Sequence, residues 1–183
     1  MTPPSKTTTR TMTWSLCVLT ALGLCGCATT QLDTAPSPHP DRDAVWCVPA
    51  PVNNTSTPYA GERVQQQLAA LLGARGLARL LVPPPANTGG PLPIDNGSDD
   101  QRQELDWARR HEVRYALLGS VDEWDYKIGL DGQPAVGFTV RLLDLQSGKV
   151  IWSGVASASG ASREGLAALS ERTLSGLVGR LLP

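Results

Sequence analysis

The 183-residue sequence is 41% hydrophobic and 18% charged, which allows one buried core and sets the expectation of a single domain with a tail. Its formal charge of −1 excludes a generally basic nucleic-acid surface, so any electrostatic role has to come from local clustering. Only four cysteines are present, too few for a disulfide scaffold.

Residues 1–26 read as a lipoprotein signal peptide. Lys6 and Arg10 form a positive start, and residues 12–24 are apolar over a length typical of a signal core but short for a membrane span. The following "LCGC" (residues 24–27) fits a lipobox, with Leu24 at −3, Gly26 at −1 and Cys27 as the acylated residue. Cys25 fits worse, because Leu24 would then occupy the −1 position. Cleavage before Cys27 removes two basic residues and no acids, which takes the formal charge from −1 to −3. It also leaves Cys47 as the one free thiol, so no internal disulfide is expected. A lipid on Cys27 supplies stable anchoring, and Ala28 at +2, in place of Asp, points to the outer membrane and its periplasmic face.

Residues 27–43, rich in Pro, Thr and Ser, read as a flexible lipidated tether, and residues 44–183 as the folded domain. Within it, residues 44–52 predict a first strand. Thr57 and Pro58 suit the cap and first position of a helix, whose apolar residues Val64, Leu68, Leu71 and Leu72 lead to a stop at Gly76. A short strand over 77–82 runs into the Pro-rich loop 83–98. Ser98 or Asp99 can cap a second helix ending near His111, with Asp99 and Asp100 at its positive end. Strands follow over 113–128, 136–145 and 150–158, the last two joined by a Gly-containing hairpin. Ser162 is the expected cap of a final helix with Leu166, Leu169, Thr173, Leu177 and Leu181 on one face. The order β-α-β-α-β-β-β-α predicts an α/β fold, a mixed sheet of about five strands flanked by helices.

The stretch "GSVDEWDYKIGLDGQPAVG" (residues 119–137) breaks the pattern, because an apolar strand ends among three acids. Alternation places Trp124 and Tyr126 on one face and Glu123 and Asp125 on the other. The register that best respects the buried face sets Trp124 opposite Val140, Tyr126 opposite Phe138, and Glu123 opposite Arg141. Trp124 and Tyr126 are then hairpin-packing residues. Glu123 gains a cation, whereas Asp125 and Asp131 have none, and Asp122 sits where helical cover ends.

Catalytic signatures are absent. Cys47 and His111 lie on different elements with no third group implied, and no metal spacing, phosphate loop or nucleophile elbow occurs. The sequence therefore points away from an enzyme. Trp107 lies off the Leu105/Ala108 face, either exposed or at a subunit contact, and Trp152 reads as core.

The segment "YALLGSVDEWDYKIGLDGQPAVGFTVRLLDLQSGKVIWS" (115–153) resembles the PelC family, outer-membrane lipoproteins of the Pel exopolysaccharide secretion system. Support comes from "TPYAGERVQQQLAALLGARG" (57–76), "LDWAR" (105–109) and "GASRE" (160–164). The part "EWDYKIGLDGQPAVG" is specific. The "LLDLQSGKVIW" hairpin recurs in LpoB-type cell-wall synthase activators and in curli secretion channels. The resemblance implies a single domain of the TolB N-terminal kind and a dodecameric ring under the outer membrane. It also implies that acids (Asp125, Asp131, Asp122 and Glu123 here) guide a cationic, partly deacetylated amino-sugar polysaccharide towards a PelB-like porin. The family's membrane-seating aromatic falls near Ala161, which cannot supply that contact. No cofactor beyond the lipid on Cys27, no metal and no nucleic-acid partner is implied. The alternative is a monomeric lipoprotein that activates a cell-wall synthase.

Overall fold

A computed structural model describes residues 29–84, 98–127 and 132–183. The signal peptide, Cys27, the loop 85–97 and Asp131 lie outside the described residues. In chain order the elements are β1 (Thr29–Thr34), β2 (Trp46–Cys47), β3 (Val52–Asn53), α1 (Ala60–Ala74), β4 (Leu80–Leu81), α2 (Ser98–Arg110), β5 (Tyr115–Tyr126), β6 (Pro134–Asp144), β7 (Lys149–Ser159) and α3 (Leu166–Leu181).

All strands among the described residues join one mixed sheet of order β1-β7-β6-β5-β2-β4, with β3 also pairing β5. Long β5, β6 and β7 form an antiparallel meander, because short turns can link them directly. Short β2 and β4 run parallel to β5 and need helical crossovers. The chain steps from β2 through α1 to β4, then back across β2 through α2 to β5. This reversal puts α1 and α2 on opposite faces. The parallel centre is thereby covered on both sides, and Trp46, Cys47 and Val48 are each fully buried.

The larger core lies under α1 and α3. Val64, Leu68 and Leu72 of α1 meet Leu169, Leu174, Leu177 and Leu181 of α3 over Trp46, Leu117, Phe138 and Trp152. The smaller core lies under α2, where Ala108 and Val113 pack on Cys47 and Ala116. Helix α2 covers only part of that face. Beyond it the sheet is open, carrying Ser120, Asp122, Thr139, Ser153, Val155 and Ser157. None of the helices among the described residues is long and apolar enough to cross a membrane.

The mixed α/β domain and the core place of Trp152 agree with the sequence. Several local expectations do not. Residues 29–34, expected within a tether, form an edge strand paired antiparallel with β7 from Thr29↔Ser159 to Thr34↔Gly154. Residues 35–42 are tied down as well, by Trp152 Nε1 donating to the Ala35 carbonyl, Ser37 Oγ to the Leu181 carbonyl and Arg42 to the Pro183 carbonyl. The sheet consequently has seven strands where about five were expected.

Thr57 does not cap α1. Tyr59 holds the cap position with φ 61°, and the Thr57 hydroxyl donates to the Trp124 carbonyl at 2.9 Å, fastening the loop to β5. Helix α3 begins at Leu166, after Gly165, so Ser162 lies outside it. The stop at Gly76 holds, since its φ of 89° belongs to the left-handed region that glycine enters at low cost.

Candidate functional site: an acidic corner at a strand bulge

Strand β5 changes register between Val121 and Glu123. Above this point Ser120 faces Thr139 and Val121 faces Phe138; below it Glu123 faces Gly137, Trp124 faces Val136 and Tyr126 faces Pro134. Asp122 is the extra residue of a β-bulge. The bulge keeps Val121 and Trp124 both in the core although they are three residues apart, and Trp124 meets Phe138 edge-on at 6.3 Å. Asp122 and Glu123 then project together from the open face. Gly137 makes room for both: a Cβ there would lie 3.2 Å from the Glu123 Cβ and 3.9 Å from that of Asp122.

This geometry corrects the expected pairings. Trp124 opposes Val136, not Val140, and Tyr126 opposes Pro134, not Phe138. Arg141 opposes Leu118 and Ser153, so it does not pair with Glu123. The connection after β5 is closed by the Lys127 N–H donating to the Gln133 carbonyl. Tyr126 does not pack the hairpin either. It is 46% exposed, because the helical cover ends before it, whereas Trp124 is buried as expected.

Asp122 is the best-held acid. Its Oδ1 accepts from Ser120 Oγ (2.8 Å) and Asn54 Nδ2 (2.9 Å), and its Oδ2 from Thr139 Oγ1 (2.9 Å). All three donors are neutral, so they orient the carboxylate without cancelling its charge. Asp125 is exposed and, among the described residues, accepts only from the adjacent Tyr126 N–H at 2.7 Å. Glu123 is half-buried beside a shallow trough of about 210 Å³, shared with Thr29, Gln31, Lys127, Ser157 and Ser159. Ion pairs among the described residues join Asp99 to Arg102, Asp106 to Arg109, Asp144 to Arg114 and Glu164 to Arg172. None involves Asp122, Glu123 or Asp125. Asp99 and Asp100 stand at the start of α2, on another element.

Cys47 and His111 are not brought together. Burial, reinforced by the Glu104 carboxylate, pushes the Cys47 thiol up to about 12, which suits a small apolar core residue. His111 stacks on Trp107 at 3.9 Å and donates from Nδ1 to the Trp107 carbonyl at 2.8 Å. Trp107 is half-buried against the smaller core. No group of metal-ligating side chains occurs among the described residues.

Sequence reasoning missed Asn54, the bulge and the burial of Glu104. Asn54 holds Asp122 across 68 positions, which no local pattern reports. The bulge itself had a signal, since two core positions spaced by three within a strand imply one extra residue. Glu104 also had one, because helical spacing puts it beside Ala108 on the covered face of α2. It is only 3% exposed, and its Oε2 accepts from the Ala50 N–H at 2.7 Å.

Fold and corner together define a small α/β domain whose distinctive chemistry is the presentation of carboxylates. Neither a protein-family model nor a curated protein sequence matches the chain. Solved structures do. A PelC dodecamer from Paraburkholderia phytofirmans is 30% identical, with 84% of this chain and 98% of that chain covered and a TM-score of 0.71. A single-substitution variant of that dodecamer gives 31%, 84%, 99% and 0.72. The lipoprotein GNA1162 from Neisseria meningitidis shares 18% identity over 75% of this chain and 97% of that one, with a TM-score of 0.47. The chain belongs to the PelC family.

Proposed function

We propose that the chain is an export component of Pel exopolysaccharide secretion. In this reading acylated Cys27 holds it at the periplasmic face of the outer membrane, with no further cofactor. Copies assemble into a homo-oligomeric ring, dodecameric like the related structures, beneath a PelB-like porin. The acids at the end of β5 line the passage and guide a cationic amino-sugar polysaccharide. The chain acts by binding and placement, not catalysis.

The observation that carries this reading is the state of the acids. Asp122 is fixed by three neutral donors, and neither Glu123 nor Asp125 has an ion-pair partner among the described residues. One exposed carboxylate contributes little. Repetition around a ring changes the magnitude, because a polycation then meets every subunit's acids within one narrow volume. Glu123, which the expected Arg141 pair would have silenced, joins Asp122 and Asp125 as a full contributor. Asp131 joins them by its sequence position.

Replacing Asp122, Asp125 and Asp131 with Asn should lower polymer export while lipoprotein level and ring assembly stay unchanged. Trp124→Ala should instead weaken assembly, since it empties the core beneath the corner. Export at the parental level by an assembled triple variant would sink the guidance role. A native mass showing a monomer would return the synthase-activator alternative.

A further inference from the structure

We propose that the open face of the sheet carries a saccharide furrow, floored by β6, that selects amino-sugar segments of mixed acetylation. A free ammonium of the segment goes to Glu123 and a neutral acetamido group to Lys127. The proposal deepens the export reading and rests on it, since it names what the acidic corner recognises at short range.

The furrow follows from the side chains that β6 lacks. Below the bulge, Gly137 lies between Glu123 and Ser157, and Ala135 lies between Asp125 and Ser159. These two small residues share the open face, because Val136 between them is turned into the core. With no bulk on β6, the flanking strands become walls two strand spacings apart, roughly 10 Å. Strand β5 supplies the acids of one wall. Ser157 and Ser159 of β7, with Gln31 and Thr29 of β1 beside them, supply the hydroxyls and the amide of the other. The trough of about 210 Å³ lies between these walls. It shares Gln31 and Ser157 with a second hollow of about 620 Å³, which continues along β7 to Val155 and Asp33.

This lining selects a chemical class. Neutral donors and acceptors predominate, and exposed Val155 adds one apolar spot. Sugar rings, with hydroxyls at their rim and an apolar C–H face, match such a surface; a purely apolar ligand does not. Lys127 then sets the selectivity. It donates to Ser159 Oγ at 3.2 Å, which draws its ammonium across β6 and leaves two N–H groups for a ligand. Glu123 forms no ion pair among the described residues, so both charges stand over one trough without neutralising each other. A fully deacetylated chain brings an ammonium against Lys127, and a fully acetylated one leaves Glu123 without a cation. A mixed segment satisfies both.

Isothermal titration of the acylated mature protein in detergent micelles tests the furrow. The probes are glucosamine tetramers that are fully acetylated, half acetylated or fully deacetylated, with tetralysine as a polycation free of sugar. The half-acetylated tetramer should bind several-fold more tightly than either other sugar. Lys127→Gln should weaken that binding several-fold while tetralysine binds at least as well as before. Attraction by charge alone demands the opposite sign, because removing a cation strengthens the binding of every cationic probe. Gln31→Val with Ser157→Val leaves the net charge unchanged and should weaken the sugars but not tetralysine, with assembly checked by native mass. Affinity that rises with probe charge alone, or a tighter half-acetylated complex in Lys127→Gln, overturns the furrow and leaves guidance by the acids standing. Failure of every cationic probe to bind overturns that guidance reading as well.

Discussion

Glu104 carries the clearest linkage between a single ionisation and the fold. Burial raises its carboxyl from 4.5 to about 7; the Ala50 N–H opposes the rise, and Asp100 and Glu62 add to it. The folded state therefore binds this proton more tightly than the unfolded chain does. The resulting stability is complete below about pH 4.5 and is lost as pH rises through about 7. The whole effect is on the order of 2–3 kcal/mol. Glu104→Gln keeps an acceptor for Ala50 and removes the titration. Its urea midpoint should match the parent's near pH 5 and exceed it near pH 8.5. A parent midpoint that stays flat across that range would show that Glu104 is not desolvated. Asp122 works differently at the same scale, since three hydrogen bonds fix its direction and leave its charge for a partner.

Among the elements, α1 shows contact geometry outweighing propensity. Gly61 lies in its first turn, where Ala would ordinarily gain about 1 kcal/mol of helix preference. A Cβ at Gly61 would nevertheless stand 2.3 Å from the Pro51 carbonyl oxygen. That backbone cannot yield freely, because β3 begins at the next residue and pairs with β5. Overpacking of this kind costs about 1–3 kcal/mol, so Gly61→Ala should destabilise the domain in chemical denaturation in spite of its propensity. A more stable variant would mean that α1 can slide away from β3. The bulge in β5 is the companion case, with Gly137 supplying the space in which two acids leave one strand side by side.

For the molecule as a whole, the prediction to check first is the proposed acylation of Cys27, two residues before β1 starts. Cys27→Ser should abolish lipid labelling and move the protein from the membrane to the soluble fraction. Cys25→Ser should do neither. Loss of labelling in Cys25→Ser alone would shift the lipobox by two residues. Native mass spectrometry of the acylated protein, in the same preparation, reads the size of the assembly that the export role requires.

The mixed α/β class could be read from the sequence because its signals are local. Val64, Leu68 and Leu72 repeat at helical spacing, while β5, β6 and β7 are long apolar runs with turns between them. Away from the bulge, which residues share a face was legible for the same reason. Pairing partners were not. Moving β6 by four positions against β5 leaves every side chain on its own face, so the apolar pattern accepts Val140 or Val136 opposite Trp124 equally well. The choice falls to the bulge and to the hydrogen bond that closes the connection at Lys127 and Gln133. Strand β1 was illegible for another reason. "TTQLDT" has a single apolar residue, Leu32, and owes its conformation to the open edge of β7, more than 100 residues away. The acids themselves could be named from the sequence, but their freedom from Arg141 and the hold of Asn54 on Asp122 are long-range facts. Only the folded chain decides them.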